Sequence, residues 1–570
     1  MKLSRREFIE RSAGTACLLA AGCGAAHSSN NAVLVNQLGF VPKAAKACVV
    51  AATVEVPFTV LDTRTGARAY RGVASAVRGD LGNYAAGRFD QLQTPGEYQI
   101  EAGGKRSLPF TIGPAVYSDA IQKSISYFAR QRCGDGKTGY HSPCHLDDGI
   151  RSDNHLHQDV SGGWHDACDL RKWVDATIYG MIGLSRVLDL ELPSVDRAAV
   201  LEELRWGNQY FRKMQEPDGY VMFTCGGDDG NNFTDNVVGT QDDRVIHVQP
   251  AGLPAQFQFV AAQAALARHV GKSDVKYAQG CIEAARRCLN WCIHSREAGA
   301  ALTLGAAASA CAEMDRATGD RSMSDLAAGF LRKLIALQVI DVGGAAGVGG
   351  FFLKAPDDRQ PLRDISLGNL PLLALCDALK QFPGHSEAPS WRNSLELHCR
   401  FLASMAGRSA FGTIPFGLYD GADPGGGRRI GTYWYRWFMK TQGETAAGDW
   451  WVGINCHLAS NGVGLMRAGR LLGDPRLGDL GQRQLDWILG VNPFDATTIS
   501  GVGQNQPTLY RPGSFSPPTP QMDGGVMNGI GGDENDRPTL LAGSWNTCEY
   551  WTPMVAYAMW LCGELQGGAA

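Results

Sequence analysis

The chain has 570 residues, 44% of them hydrophobic and 19% charged, so it can form a sizeable core and is not a disordered chain. Its net charge is −4, from 53 basic and 57 acidic residues. Nucleic-acid binding needs a concentrated positive field, so this balance argues against nucleic acid as the main partner. At about 100–200 residues per domain, the length indicates more than one domain, or one large domain with an addition.

Residues 1–30 have the pattern of an export signal. Arg5 and Arg6 form the arginine pair of a twin-arginine signal, and residues 16–21 form an apolar run. This run is too short to cross a membrane. A twin-arginine substrate folds in the reducing cytosol, so we expect no dense disulfide framework from the 16 cysteines.

Residues 19–23 are similar to a bacterial lipoprotein box, with Ala20 where Leu is usual. A lipid on Cys23 would be the chain's membrane attachment, and the protein would then be periplasmic or lie at the outer membrane or cell surface. The alternative is cleavage after Ala26, which leaves a soluble exported protein.

Residues 32–113 contain short β-rich runs separated by turn residues, a pattern that predicts a small immunoglobulin-like β-sandwich. The runs lie at residues 33–35, 47–50, 58–61, 98–100 and 110–112.

From Val116 onward the apolar residues recur with helical spacing. About twelve helices are predicted, near residues 116–131, 172–190, 200–214, 250–271, 273–294, 300–318, 322–338, 362–382, 389–405, 450–472, 476–489 and 543–565. Six helical hairpins would form an (α/α)6 toroid, so we expect a mainly α protein with this domain over residues 116–566.

The segment from Asp159 to Asp169 contains two carboxylates three positions apart, Asp166 and Asp169. In a turn or an opening helix they can converge and share the task of holding and deprotonating a water. The alternative is that one of them caps a helix N-terminus.

A second group combines cysteine and histidine, the usual zinc ligands. Cys133, Cys144 and His145 supply three ligands, and either His165 or His141 could supply the fourth. The alternatives are a disulfide between Cys133 and Cys144, or free thiols.

The third segment runs from residue 531 to residue 551 and contains Glu549 at the start of an apolar helix. Among aromatic side chains this carboxyl could stay protonated near neutral pH, as a general acid requires. The alternative is a helix-start carboxylate that is favoured by the helix dipole.

These segments together resemble the family-nine glycoside hydrolases, inverting β-glucanases whose best-known members are cellulases. The resemblance extends over about residues 32–565. It rests on residues 36–40, 132–134 with 144–145, 162–169, 489–494 with 501–503, and 533–536 followed by Glu549.

The resemblance implies a role for each candidate residue. Asp169 becomes the general base, Asp166 the residue that orients the water, and Glu549 the general acid. It also implies a structural zinc ion held by Cys133, Cys144, His145 and His165, and it admits a calcium ion with no assigned ligands.

The chain departs from the family pattern in three places. Cys168 stands where the base motif has glycine, and no His-His-Arg follows the late signature. Pro553 comes about four residues sooner after Glu549 than in the family, so Glu534 and Asp536 remain alternative acids. These departures leave the identity of the sugar open.

Residues 428–437 mix arginines with aromatic side chains, and Trp450 follows. Aromatic rings can stack on sugars, and arginine can bind an acidic sugar. We therefore predict substrate contacts for Trp434, Tyr435, Arg436, Trp437 and Trp450, against the alternative of core aromatics with solvated arginines.

The expected function is an exported, inverting glycoside hydrolase, endo-β-1,4-glucanase-like, that cleaves a glucan or a related polysaccharide or oligosaccharide. One alternative is a toroidal polysaccharide lyase, for which the arginine-rich segment is the hint. Another is a non-catalytic, surface-anchored glycan-binding lipoprotein.

Overall fold

The computed structural model describes residues 32–136, 143–226, 244–295, 299–340, 348–441, 451–510 and 522–567. The predictions for the signal, Cys23, His141 and Trp450 therefore lie outside the described residues.

The first part of the described chain is built from β-strands. They are β1 (Val33–Val35), β2 (Gly39–Phe40), β3 (Ala47–Val50), β4 (Val56–Asp62), β5 (Arg68–Gly79), β6 (Gly82–Arg88), β7 (Gly96–Ala102), β8 (Lys105–Arg106) and β9 (Phe110–Ile112).

These strands pair in the order β1-β3-β6-β5-β4-β7-β9-β2, with β8 added to β7. All pairs are antiparallel except β2 with β9. Alternate side chains such as Phe58, Val60 and Ile100 form a core that is separate from the core of the helices. Leu34 and Val49 instead pack with the helical core, so one face of this β part is covered by the rest of the chain.

The described part of the chain after residue 113 is mainly helical. The helices are α1 (Ser118–Arg130), α2 (Val174–Asp189), α3 (Arg197–Lys213), α4 (Leu253–Val270), α5 (Val275–Ile293), α6 (Ala301–Thr318), α7 (Ser322–Ile335), α8 (Leu370–Gln381), α9 (Ala388–Ala406), α10 (Asn455–Leu472), α11 (Pro475–Ile488), α12 (Trp545–Cys548) and α13 (Thr552–Gly567).

Six of these described helices contact one another in a closed circle. In this inner set α2 contacts α4, followed in order by α6, α8, α10 and α13, and α13 contacts α2 again. Each inner helix also packs against one outer helix: α3 on α2, α5 on α4, α7 on α6, α9 on α8, α11 on α10 and α1 on α13.

The pattern of buried residues in each helix explains the division into inner and outer helices. In α4, α6 and α13 nearly every side chain is buried, as expected for a helix that is surrounded on all sides. In α5 and α7 the buried residues lie on one face and charged residues on the other. None of the helices in the described residues combines the length and the apolar character that crossing a membrane requires.

Short strands lie in the connections between helices. They are β10 (Ile150–Arg151), β11 (Lys172–Trp173), β12 (Met222–Cys225), β13 (Val245–Pro250), β14 (Gly417–Tyr419), β15 (Arg428–Ile430), β16 (Tyr433–Arg436), β17 (Gly531–Gly532) and β18 (Pro538–Thr539).

The helix order brings two of the candidate segments together. Asp166 and Asp169 lie shortly before the N-terminus of α2, and Glu549 lies shortly before the N-terminus of α13. Because α2 and α13 pack against each other, segments about 380 positions apart in sequence become neighbours.

Candidate active site

The segment that carries the two aspartates turns sharply at a glycine pair. Gly162 and Gly163 have φ angles of 88° and 76°, in the left-handed region that favours glycine. A Cβ at position 163 would lie 2.5 Å from Cβ of Tyr210, so no larger residue fits there. The turn directs residues 164–169 into the interior.

A short backbone pairing holds this segment against the end of α1. Arg132 and Trp164 form an antiparallel bridge, Cys133 N donates to the carbonyl of Gly163, and His165 N donates to the carbonyl of Gln131. Gln131 also donates from its side chain to the carbonyl of Ala167, at 3.0 Å. The position of Asp166 is thus set by hydrogen bonds of the residues on both sides of it.

Asp166 is buried and bound to the start of α13. Its Oδ2 accepts a hydrogen bond of 3.0 Å from Trp551 Nε1, and its carbonyl accepts from the backbone and hydroxyl of Thr552. Its Oδ1 is buried and has no hydrogen-bond partner among the described residues. An unpartnered buried acceptor is costly, so this oxygen is suited to receive a hydrogen bond from a water or a substrate hydroxyl.

Asp169 is partly exposed and lies beside a cation. Its Oδ2 is 3.2 Å from Arg171 Nε, and its side chain is 23% exposed. Its Oδ1 is buried without a hydrogen-bond partner among the described residues, as in Asp166. The arginine balances the negative charge of a carboxylate that keeps one oxygen available.

Glu549 meets the aspartate segment through a thiol. Cys168 Sγ donates to Glu549 Oε1 at 2.8 Å, although the two residues are 381 positions apart. Burial, followed by repulsion from Asp169, raises the pKa of Glu549 to about 8. Burial and Asp169 also hold the pKa of Asp166 well above its usual range. Glu549 is therefore protonated at neutral pH and can act as an acid.

A buried ionic group lies against the segment that carries Asp166 and Asp169. Asp148 Oδ2 is 2.7 Å from Lys172 Nζ, and Asp148 Oδ1 is 3.0 Å from Arg244 Nε. Lys172 donates to the carbonyl of Val160, and Arg244 donates to the carbonyl of Leu170. These bonds fix both ends of the aspartate segment, and sequence reasoning did not identify Asp148, Lys172 or Arg244.

The predicted metal ligands converge in one buried cluster. Cys133, Cys144, His145 and His165 each place one ligand atom within 4.8 Å of the others. Both thiols are free, so the alternative disulfide between Cys133 and Cys144 is not formed. The other candidate ligand, His141, lies outside the described residues.

The distances within this cluster fit a tetrahedral ion. Cys133 Sγ is 3.7 Å from His145 Nδ1, and Cys144 Sγ is 3.6 Å from His165 Nε2. Tetrahedral zinc with ordinary Zn–S and Zn–N bonds separates sulfur from nitrogen by about 3.6 Å. The residues therefore fit a metal. No second group of three or more His, Cys, Asp or Glu ligands was found among the described residues, and the calcium expectation stays a prediction.

The structure corrects the predicted substrate contacts of three residues. Tyr435, Arg436 and Trp437 are at most 1% exposed, so no ring face is available for a sugar. Tyr435 and Trp437 donate hydrogen bonds to Asp80 in the β part. The alternative of core aromatics holds for Tyr435 and Trp437, whose burial depends on a tertiary contact that the residue pattern does not reveal.

Two of the three arginines of this segment are bound within the protein, whereas Arg429 is exposed. Arg436 donates to backbone carbonyls that include those of Asp533 and Phe438. Arg428 pairs with Asp536 at 2.6 Å. These partners engage Arg428 and Arg436 in the structure, so of this segment only the exposed Arg429 is left as a hint of a lyase. Trp434 is partly exposed, and its contact with substrate stays a prediction.

The alternative acids are placed differently from Glu549. Asp536 accepts hydrogen bonds from the backbone of Trp437 and Phe438 and pairs with Arg428, so its oxygens are engaged in structure. Glu534 is exposed to solvent. Glu549, in contrast, meets the aspartate segment through Cys168 and is close enough to Asp169 to feel its charge.

A separate apolar cavity of about 70 Å³ lies beside α9 and α10, just before the N-terminus of α8. Its lining includes Phe352, Phe401, His398 and His457. Burial lowers the pKa of both histidines to about 4, so both are neutral. The candidate catalytic residues do not line this cavity.

Comparison with known proteins agrees with this architecture. Residues 117–325 match the profile of glycosyl hydrolase family 9, and residues 28–107 match that of the cellulase N-terminal ig-like domain. These two matches confirm the resemblance to the family-nine glycoside hydrolases, and to the immunoglobulin-like domain in front of them, that was inferred from the sequence.

Individual proteins are similar to parts of the chain. A cellodextrinase of Butyrivibrio fibrisolvens is 29% identical over 214 residues, 33% of this chain and 39% of the relative. Endoglucanase D of Acetivibrio thermocellus is 26% identical over 284 residues, 45% of this chain and 44% of the relative. The matched regions thus span about two fifths of the length of these relatives.

Similarity of fold extends further than similarity of sequence. The Bacteroides ovatus GH9 structure superimposes with a TM-score of 0.70 at 19% identity, over 95% of this chain and 99% of the other. At this identity the likeness concerns the fold.

Proposed function

We propose that this chain is an endoglucanase-like hydrolase that cleaves β-glycosidic bonds of a glucan or a related polysaccharide with inversion. The observation that carries the proposal is the meeting of the Asp166–Asp169 segment with a buried Glu549. The names of the two sequence relatives, an endoglucanase and a cellodextrinase, support this class of substrate.

In the proposed reaction Asp169 is the general base. It accepts a proton from a water molecule, whose oxygen attacks the anomeric carbon on the face opposite the leaving group. Asp166 orients that water through Oδ1, while Trp551 holds Oδ2. The two unpartnered oxygens of the aspartates support this division of roles.

Glu549 is the general acid in this proposal. Its proton passes to the glycosidic oxygen as the bond from that oxygen to the anomeric carbon breaks, and Glu549 becomes a carboxylate. The pKa of about 8 supports this role, because the acid must hold its proton at neutral pH.

The deciding experiment is a panel of β-linked glucans and related polysaccharides, with products identified by mass and by anomeric configuration in NMR. Asp169→Asn should reduce turnover by about 10²–10⁴-fold, because it removes proton abstraction at nearly constant volume. The control is Asp325→Asn, whose carboxylate is 88% exposed on α7. Unchanged turnover in Asp169→Asn, or products of retained configuration, would refute the mechanism.

We further infer that the chain consists of two domains, a β-sandwich over residues 32–113 and an (α/α)6 toroid over residues 116–566. The closed order of contacts among the six inner helices supports the toroid. The separate apolar core of the strands supports the division.

We also propose that Cys133, Cys144, His145 and His165 hold one structural zinc ion. The donor set and the sulfur–nitrogen distances support zinc. Four protein ligands complete the coordination shell, so the ion would stabilise the segment and would not bind substrate.

Finally, we propose export by the twin-arginine route with a lipid on Cys23. The arginine pair at positions 5 and 6 and the box at residues 19–23 support this proposal. Radiolabelled palmitate should enter the wild-type protein in cells and should not enter Cys23→Ala. Equal labelling of both chains would refute the anchor.

A further inference from the structure

Cys168 lies between the proposed base and the proposed acid, and the mechanism above gives it no role. Its side chain is 1% exposed, and its Sγ lies 2.8 Å from Glu549 Oε1. The family-nine motif has glycine at this position, so the contact is a property of this chain's own sequence.

The thiol is a donor in this contact. Burial, with the charges of Glu549 and Asp169, raises the pKa of Cys168 well above its usual range, so the sulfur keeps its proton. A protonated carboxyl group has one O–H donor, and its carbonyl oxygen is a better acceptor than its hydroxyl oxygen. Since the thiol donates to Oε1, this bond is stronger when Oε1 is the carbonyl oxygen and the proton is on Oε2.

We propose that Cys168 is a positioning residue that places the transferable proton of Glu549 on Oε2 and stabilises the carboxylate formed after transfer. The proposal rests on the role of Glu549 as general acid. During the reaction the proton leaves Oε2 for the glycosidic oxygen, and the electrons of the broken bond stay on that oxygen. The negative charge left on Glu549 then receives the hydrogen bond from the thiol.

Other groups also act on Glu549 and must stay constant in a test. The titratable or charged groups that face it are Asp166, Asp169, Arg171, Cys168 and Tyr510. Burial and Asp169 raise the pKa of Glu549, whereas the thiol and Arg171 oppose the rise. A substitution that replaces only the thiol of Cys168 therefore isolates the effect of the thiol on the pKa of Glu549.

The test compares the wild type with Cys168→Ala and Cys168→Ser. Loss of the donor in the alanine variant should move the alkaline limb of kcat/KM upward by about one pH unit, because a hydrogen bond to a charged group has about that effect. On a substrate with a poor leaving group the alanine variant should lose about three- to tenfold in kcat. The hydroxyl of the serine variant should return the alkaline limb to its wild-type position. It should also restore kcat to within about threefold of the wild-type value.

A purely packing role makes different predictions. The thiol would then only fill space, the alkaline limb of Cys168→Ala would coincide with that of the wild type, and serine would rescue no better than alanine. Either result would overturn the proposal.

A spectroscopic measurement decides the contact without any substrate. The infrared S–H stretching band that is present in the wild type and missing in Cys168→Ala should move to lower wavenumber as Glu549 ionises near pH 8. A band that stays fixed between pH 6 and pH 9 would overturn the proposal even in an active enzyme. A band that titrates in a protein that hydrolyses no glycan would support the contact and refute the proposed function.

Discussion

At the scale of single residues, Glu549 controls the expected pH dependence. Its pKa is raised to about 8 by burial and by Asp169. Because the acid acts in its protonated form, kcat/KM should fall as the pH rises through about 8. Glu549→Gln should lose most activity on natural glucans and less on substrates with good leaving groups, which need little protonation. Glu534→Gln, at an exposed site, is the matched control.

The same carboxyl group makes a prediction about stability. The pKa of Glu549 is higher in the folded state than in the unfolded state, where it is about 4.3. The contribution of this carboxyl to the free energy of unfolding is therefore fully present below the unfolded pKa and is lost as the pH rises through about 8. The wild type should therefore lose free energy of unfolding between pH 5 and pH 8, relative to Glu549→Gln. Parallel pH profiles of the two chains in urea titrations would contradict the raised pKa.

The roles of the site residues stay predictions, but the structure shows which of them lie together and which are buried, and the difference has a physical reason. Asp166, Asp169 and Glu549 were identified from carboxylate spacing and from the motif, and the structure places them together. Tyr435 and Trp437 were misassigned, because an aromatic residue has the same composition signal in a core as on a sugar platform. Trp551 was missed, although it lies only two positions after Glu549.

At the scale of elements, the segment before α2 carries both a predicted metal ligand and a predicted catalytic aspartate. His165 stands directly before Asp166, so a metal held by Cys133, Cys144, His145 and His165 would anchor the aspartate. Metal ligands of this kind contribute to folding when the ion binds.

The metal prediction follows from this connection. The purified protein should carry about one zinc per chain, and Cys144→Ser should lower the zinc content, the melting temperature and the activity together. The control is Cys311→Ser, which alters a buried thiol in α6 outside the cluster and should keep its zinc. Elemental analysis and thermal unfolding measure both quantities. Full zinc content and unchanged melting in Cys144→Ser would refute the site.

Some strands were predicted from the sequence and others were not. β1, β3 and β9 were predicted with their observed bounds, because short runs of β-branched or aromatic residues mark them. β5 was missed over Arg68–Gly79, which is rich in alanine and arginine and mostly exposed. Its conformation comes from pairing with β4 on one side and β6 on the other. Such non-local pairing cannot be read from local residue preference.

At the scale of the whole molecule, two of the motifs that suggested the family meet across the boundary between the strands and the helices. Gln37 N donates to the carbonyl of Leu489, and Gln37 Nε2 donates to the carbonyl of Asp495 at 2.9 Å. Gln37 Oε1 accepts from Gln504 N at 2.7 Å. A Cβ on Gly490 would lie 2.5 Å from Gln37 Nε2, which explains a glycine there. The motif at residues 36–40 therefore serves the contact between the strands and the helical part of the chain.

This contact gives a prediction about the assembly of the two parts. Gln37→Ala removes both the donor and the acceptor of a buried side chain and leaves the backbone N–H of Gln504 without its acceptor, whereas the carbonyl of Asp495 keeps a donor in Asn505 Nδ2. One unsatisfied buried group of this kind costs about 1–3 kcal/mol, so the free energy of unfolding should fall by about that amount. Turnover measured well below the melting temperature should remain near that of the wild type, because Gln37 lies outside the proposed catalytic residues.

The matched control is Gln93→Ala, which removes an exposed glutamine from the same domain and should leave stability within about 0.5 kcal/mol. Urea titration of the three chains measures the difference, and equal midpoints for Gln37→Ala and Gln93→Ala would show that the two parts are joined by other contacts.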